Sequence, residues 1–154
     1  MDKSHFKKEI LTAGILKHQA VIEDFRTRIR EMMIADKNIN EEEYDAHGLS
    51  HKAETVAEVS LLTDQLQFAN HELDELRKIE SFTERIHPAV EFGTVVTTDK
   101  DTFFVAAAME PFSVDGRPIS GLPVHSLLYK KMKGKREGET FSDGSTNYCI
   151  KEIF

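Results

Sequence analysis

The sequence predicts an α+β protein: an N-terminal antiparallel two-helix coiled-coil hairpin followed by a small β-sheet domain with one short helix. Two apolar seams at alternating three- and four-residue steps predict the hairpin. A change to period-two alternation beyond His87-Pro88 predicts the sheet. Between the seams lies the most acidic run of the chain, Glu41, Glu42, Glu43 and Asp45.

The first seam is Leu11, Ile15, His18, Ile22, Phe25, Ile29 and Met32, and the second is Val59, Leu62, Leu66, Ala69, Leu73 and Leu76. Each lays one stripe along a helix, and neither contains proline. Folding back seam against seam buries both stripes at once. An arm of about 30 residues at ~1.5 Å each would extend roughly 45 Å. At the tip, Asp36-Lys37-Asn38-Ile39-Asn40 has low helix propensity, and Asn40 with Glu43 reads as a cap that restarts a short helical turn. His47-Gly48 then breaks it, and Ser50 caps a returning arm that begins near His51. The expected tip spans about 36–53, within a hairpin domain of 1–86.

The residue before a proline is pushed out of the helical region, so His87-Pro88 marks the boundary to a second domain, 87–154. There Val90, Phe92, Thr94 and Val96 alternate as a half-buried strand, and Phe103 to Met109 suits a central strand, with Thr98-Asp99-Lys100-Asp101 as the turn between them. Pro111 to Gly121 reads as a loop. Val124, Leu127, Leu128 and Met132 mark one face of a helix opened by Pro123 and ended by Gly134. Glu139-Thr140-Phe141 and Tyr148 to Ile153 read as strands about Asp143-Gly144-Ser145.

Composition narrows the function classes. The 154 residues are 40% apolar and 31% charged, and no apolar run approaches the ~20 residues of a membrane-spanning helix. The amino-terminal residues have no secretory pattern, and Cys149 is the single cysteine, so a soluble cytoplasmic protein is expected. A formal charge of −7 argues against free binding to a nucleic-acid backbone. Residues 1–86 carry 18 Asp/Glu against 12 Lys/Arg, so the acidity belongs to the hairpin.

In the carboxy-terminal half stand, in order, Ile119-Ser120, Leu122-Pro123, a short helix, Gly134-Lys135, Gly138-Glu139 and the strand Tyr148 to Ile153. With the preceding hairpin, this order resembles the Gre-type transcript cleavage factors that bind bacterial RNA polymerase. Leu122 stands where that family has serine, and about one extra helical turn separates Pro123 from Gly134. The resemblance implies an FKBP-like fold for 87–154, docking to core RNA polymerase at the rim of its secondary channel, and a hairpin that enters the channel. It implies no enzyme in its own right and no stably bound cofactor. Instead, tip carboxylates would help hold a Mg²⁺ shared with the polymerase beside the nascent RNA 3′ end, where a second metal supports hydrolysis.

The family's acid pair stands at the start of the returning helix, three residues apart. Aligned on His47-Gly48, this chain has Leu49 and Lys52 there; a shifted alignment gives His51 and Glu54. Neither reproduces the pair. The candidate acids are therefore Glu41, Glu42, Glu43, Asp45 and Glu54, with Glu41, Glu43 and Asp45 as candidate Mg²⁺ ligands. A solvated acidic face at a helix N-terminus explains the same run without a metal. Candidate docking residues are Lys130, Lys131, Lys133, Lys135 and Arg136, the one basic concentration of the chain. Alternatives are a regulator that occupies the channel without promoting cleavage, and a coiled-coil protein with an unrelated partner.

Overall fold

The computed structural model describes the backbone of residues 2–39 and 46–154, and the side chains of 2–35 and 52–154. Helix α1 spans Lys3–Ile39 and helix α2 spans Ala46–Glu80. Strands β1 (Val95–Thr98), β2 (Thr102–Ala106), β3 (Phe112–Val114) and β4 (Arg117–Pro123) follow, then helix α3 (Leu127–Met132) and strands β5 (Thr140–Asp143) and β6 (Thr146–Ile153). This is the expected α+β class.

The residues fall into two compact units, one of Met1–Leu16 with Glu72–Phe154 and one of Lys17–His71. The division lies inside the helices because their root segments pack with the sheet. Phe6, Ile10 and Leu11 of α1 and Leu76 and Ile79 of α2 share one core with Val95, Phe104, Ala106 and Ile119. In the helical unit the seams are the buried stripes: Ile22, Leu62 and Ala69 are buried with His18, while Phe25, Ile29, Met32, Val59 and Leu66 are half-buried. Residues 10 and 11 meet 76 and 79, whereas Ile29 and Met33 lie beside Leu66, so the helices run antiparallel.

At the two helix ends, within residues 36–39 and 46–53, the structure differs from expectation. Helix α1 continues through Asp36-Lys37-Asn38-Ile39, and α2 begins at Ala46 and passes through His47-Gly48 and Ser50. Unfavourable propensities of up to about 1 kcal/mol per residue do not outweigh continuation of an already nucleated helix. The expected caps Asn40 and Glu43 lie outside the described residues.

The six strands form one sheet in the order β3-β4-β2-β1-β6-β5, with β2 and β4 parallel and the other neighbours antiparallel. Both faces are covered, which explains the unbroken apolar run of β2. Phe104 and Ala106 face the helix roots, while Phe103 and Val105 join Val96, Leu122, Tyr129, Met132 and Phe141 in a second core. A bulge keeps β6 in step with this core. Thr97 pairs with Glu152 and Thr98 with Ile150, so Lys151 is the extra residue that brings Ile150 and Ile153 to the same face.

Three local readings are corrected. The strand expected over Val90 to Val96 starts only at Val95, because Gly93 turns the chain at φ 86; Val90 is instead held by its N–H donating to the Lys135 carbonyl at 2.8 Å. The expected loop over Pro111 to Gly121 contains the β3-β4 hairpin, whose turn residues Asp115 and Gly116 have φ of 50 and 73. Pro123 ends β4 and does not open α3, whose N-cap is Ser126, its Oγ accepting from Tyr129 N at 3.1 Å. Accordingly Tyr129 and Met132 face inward, while Val124 and Leu127 are exposed.

Two glycines at positive φ separate backbone strain from steric clash. A Cβ on Gly93 would lie 2.5 Å from Phe82 Cε2, whereas one on Gly116 meets nothing within 4 Å. In urea denaturation, Gly116→Ala is expected to cost about 1 kcal/mol and Gly93→Ala roughly 2–4 kcal/mol.

Candidate functional site

Three places carry candidate functional side chains, each within one unit. In the helical unit, Arg26, Ile29, Arg30, Met33, Ile34 and Leu66 line a groove of about 410 Å³. The same unit leaves Val21, Met33, Ile34, Val56, Leu61 and Phe68 exposed, at 40–60% of their surface. A seam one stripe wide on each helix cannot cover these side chains. Where such side chains adjoin, they form the kind of surface that contacts another molecule.

Of the candidate acids, Glu41, Glu42, Glu43 and Asp45 lie outside the described residues. Glu54 is exposed on α2, about two turns beyond its start. The first turn of α2 holds no acid. Among the described residues no three His, Cys, Asp or Glu side chains come together as a metal site.

The basic candidates cluster at the end of α3, where cations favour the helix C-terminus. Lys130, Lys131, Lys133 and Arg136 are exposed and Lys135 is half-buried. Lys131 Nζ is 2.8 Å from Asp143 Oδ1 on β5. The backbone after the helix is pinned: Arg136 N–H donates to Glu139 Oε2 at 2.6 Å, and Glu137 Oε1 accepts from Ile153 N at 2.9 Å. This segment presents its cations from a fixed frame. The aromatic residues Phe103, Phe104, Tyr129 and Phe141 are taken up by the two cores.

The third place, in the sheet unit, was not singled out by sequence patterns. Lys7 is 1% exposed and its Nζ has no hydrogen-bond partner; His87 is 4% exposed and its Nε2 has none either. Both line a cleft of about 320 Å³ walled by the start of α1, by Thr83 to His87, and by Ile153 and Phe154. Nδ1 of His87 lies 2.6 Å from Glu91 Oε1. Burial lowers the Lys7 pKa to about 8, against the partial support of Glu91. Burial also lowers the pKa of His87, outweighing its bond to Glu91, while Lys7 lowers it further.

A signal for Lys7 did exist. It stands four residues before Leu11 and so extends the first seam inward, where a buried position is expected. His87 gave no such signal, because its position before Pro88 accounts for it as a boundary residue.

No protein-family model matches the chain, and no curated protein matches it. Among solved structures, the GreA factor homolog 1 (Gfh1) protein of Thermus thermophilus is similar over 91% of this chain and 94% of that chain, at 16% identity and a TM-score of 0.35. Thermus aquaticus Gfh1 is similar over 92% and 94%, at 16% identity and a TM-score of 0.33. A likeness of this degree assigns neither family nor function.

The buried base makes stability depend on pH. Below about pH 8 Lys7 is charged in both folded and unfolded chains and its burial penalty is fully present; the penalty fades as pH rises from about 8 toward the ordinary 10.5. The stability difference between Lys7→Met and wild type is therefore expected to shrink over that interval, by at most about 3 kcal/mol, in urea titrations at pH 7.5, 9 and 10.

Proposed function

We propose that this protein is a Gre-like transcription factor that binds core RNA polymerase through its sheet unit and places its helical arm in the secondary channel, modulating elongation. The observation that carries this reading is an antiparallel arm with exposed apolar side chains, preceding a six-stranded sheet with one short helix. In the helical unit, residues 17–39 and 46–71 would each reach about 35–40 Å. That is enough length to act at a distance from a docking surface.

The residues of the Gre resemblance have definite places in the fold. Ile119-Ser120 and Leu122-Pro123 lie on β4, Gly134-Lys135 follows α3, Gly138-Glu139 leads into β5, and Tyr148 to Ile153 belongs to β6. The exposed Lys130, Lys131, Lys133 and Arg136 supply the docking charge. The protein would act in the cytoplasm on the elongation complex, lending carboxylates to the polymerase's active centre and catalysing nothing alone.

A second form of the reading, a regulator that fills the channel without promoting cleavage, is favoured by the absence of acid from the first turn of α2. On that reading the tip contacts the polymerase, and Glu41, Glu43 and Asp45 hold no Mg²⁺.

Binding to purified core polymerase at micromolar protein in low salt tests both forms. Charge reversal at Lys131 and Lys133, and separately Leu61→Asp with Phe68→Asp, are each expected to weaken binding about tenfold or more without loss of helicity. Failure of the wild type to bind overturns the proposal. With a backtracked elongation complex and Mg²⁺, cleavage that is stimulated by the wild type and lost in Glu41→Ala, Glu43→Ala, Asp45→Ala or Glu54→Ala identifies the carboxylate route. Binding without stimulation identifies channel occupation.

A further inference from the structure

We propose that copies of this chain associate through their helical units, the outer stripe of α2 in one copy packing into the groove between α1 and α2 of the next. Glu54, Ala57, Leu61, Asp64 and Phe68 follow one another by alternating steps of three and four residues, and all are exposed. They form a second stripe on α2, roughly 140° round the helix from the seam at Val59, Leu62, Leu66 and Ala69. Leu61 and Phe68 each leave more than half of their surface to solvent.

The occupant of the groove follows from charge. Arg26, Ile29, Arg30, Met33 and Ile34 of α1 line it with Leu66 of α2, and no acid does. Both arginines are exposed, and Glu23 approaches Arg26 only to 4.0 Å. A basic, apolar groove of this kind takes a helix that offers apolar side chains and carboxylates on one face. The outer stripe of α2 is such a helix: Glu58 and Asp64 flank Leu61 and Phe68, and no Lys or Arg stands from 54 to 68.

The two surfaces also agree in register. With Asp64 set on Arg30 and the helices parallel, Phe68 falls four residues on, level with Ile34, which is likewise four residues on. Leu61 then lies beside Ile29 and Glu58 beside Arg26, each within about 3 Å along the axis. Charge meets charge and apolar meets apolar.

Stripe and groove occupy different sides of α2, so one copy presents both at once. The contact is therefore heterologous, and it repeats from copy to copy without closing a two-fold pair. A stripe of about two turns is smaller than a standard interface, and a charge of −7 on each copy opposes association. The dissociation constant expected is on the order of 100 μM. No polymerase takes part, so this contact and the transcription reading stand or fall separately.

The test is sedimentation velocity with light scattering on the full chain, from about 10 μM to about 1 mM, with reductant present to exclude disulfides through Cys149. The weight-average mass is expected to rise with concentration above the 17.5 kDa of one chain, without a plateau at two copies. Arg30→Glu and Asp64→Arg should each weaken association about tenfold or more. An equimolar mixture of the two variants should restore it to within about threefold of wild type, because each stripe then meets a groove of opposite charge.

Far-UV circular dichroism confirms that each variant keeps its helices, and the concentration series needs only wild-type protein. A wild type that stays monomeric to about 1 mM overturns the proposal and leaves the groove to solvent or to a different protein. A closed dimer, association unchanged in a folded Asp64→Arg, or a mixture no better than its components also overturns it.

Discussion

The structure depends on the packing of the two helix roots against one face of the sheet. Phe6 and Ile10 from α1 and Leu76 and Ile79 from α2 are essentially inaccessible, and they share a core with Val95, Phe104 and Ile119. At about 2 kcal/mol for each large apolar side chain, these four contribute an amount comparable to the whole net stability of a small domain. Without them the sheet would expose that face, and its other core would be too small to hold 70-odd residues folded alone. The roots belong to the sheet unit for this reason, although they are continuous with helices that extend into the other unit.

The same packing creates the Lys7–His87 cleft. Phe6 and Ile10 are drawn to the sheet, and Lys7, between them on the same helical turn, is buried with them. Its long stem can lie along apolar surface, but its ammonium ends without a partner beside an imidazole whose other nitrogen is engaged. Burying a charge in this way costs stability, which the lowered pKa expresses.

Much of the fold was legible in the sequence because the seams and strands follow simple periods. The alternation of three- and four-residue steps located both buried stripes, from Leu11 to Met32 and from Val59 to Leu76. The Thr98 to Asp101 turn and the turn at Asp143-Gly144-Ser145 were also readable, since their residue types suit tight turns. The β3-β4 hairpin was not, because Gly and Pro at 111–121 suggest a loop and a strand paired to β2 in parallel leaves no local sequence trace. The helix limits near the tip were misplaced for a related reason: weak breakers such as His47-Gly48 do not stop a helix that already has many bonds.

The sequence by itself determined the class of the protein, the antiparallel arm with its acidic run, and the position of the basic end of α3, since each depends on periodicity or on local composition. Tertiary structure decided which side chains lose water on packing: it exposed Leu61 and Phe68, covered Tyr129 and Met132, and buried Lys7 and His87 together from positions 80 residues apart. Burial and the absence of a partner are properties of the space between elements distant in the chain. No pattern of neighbours along the chain encodes that space, so the arm could be read from the sequence and the cleft could not.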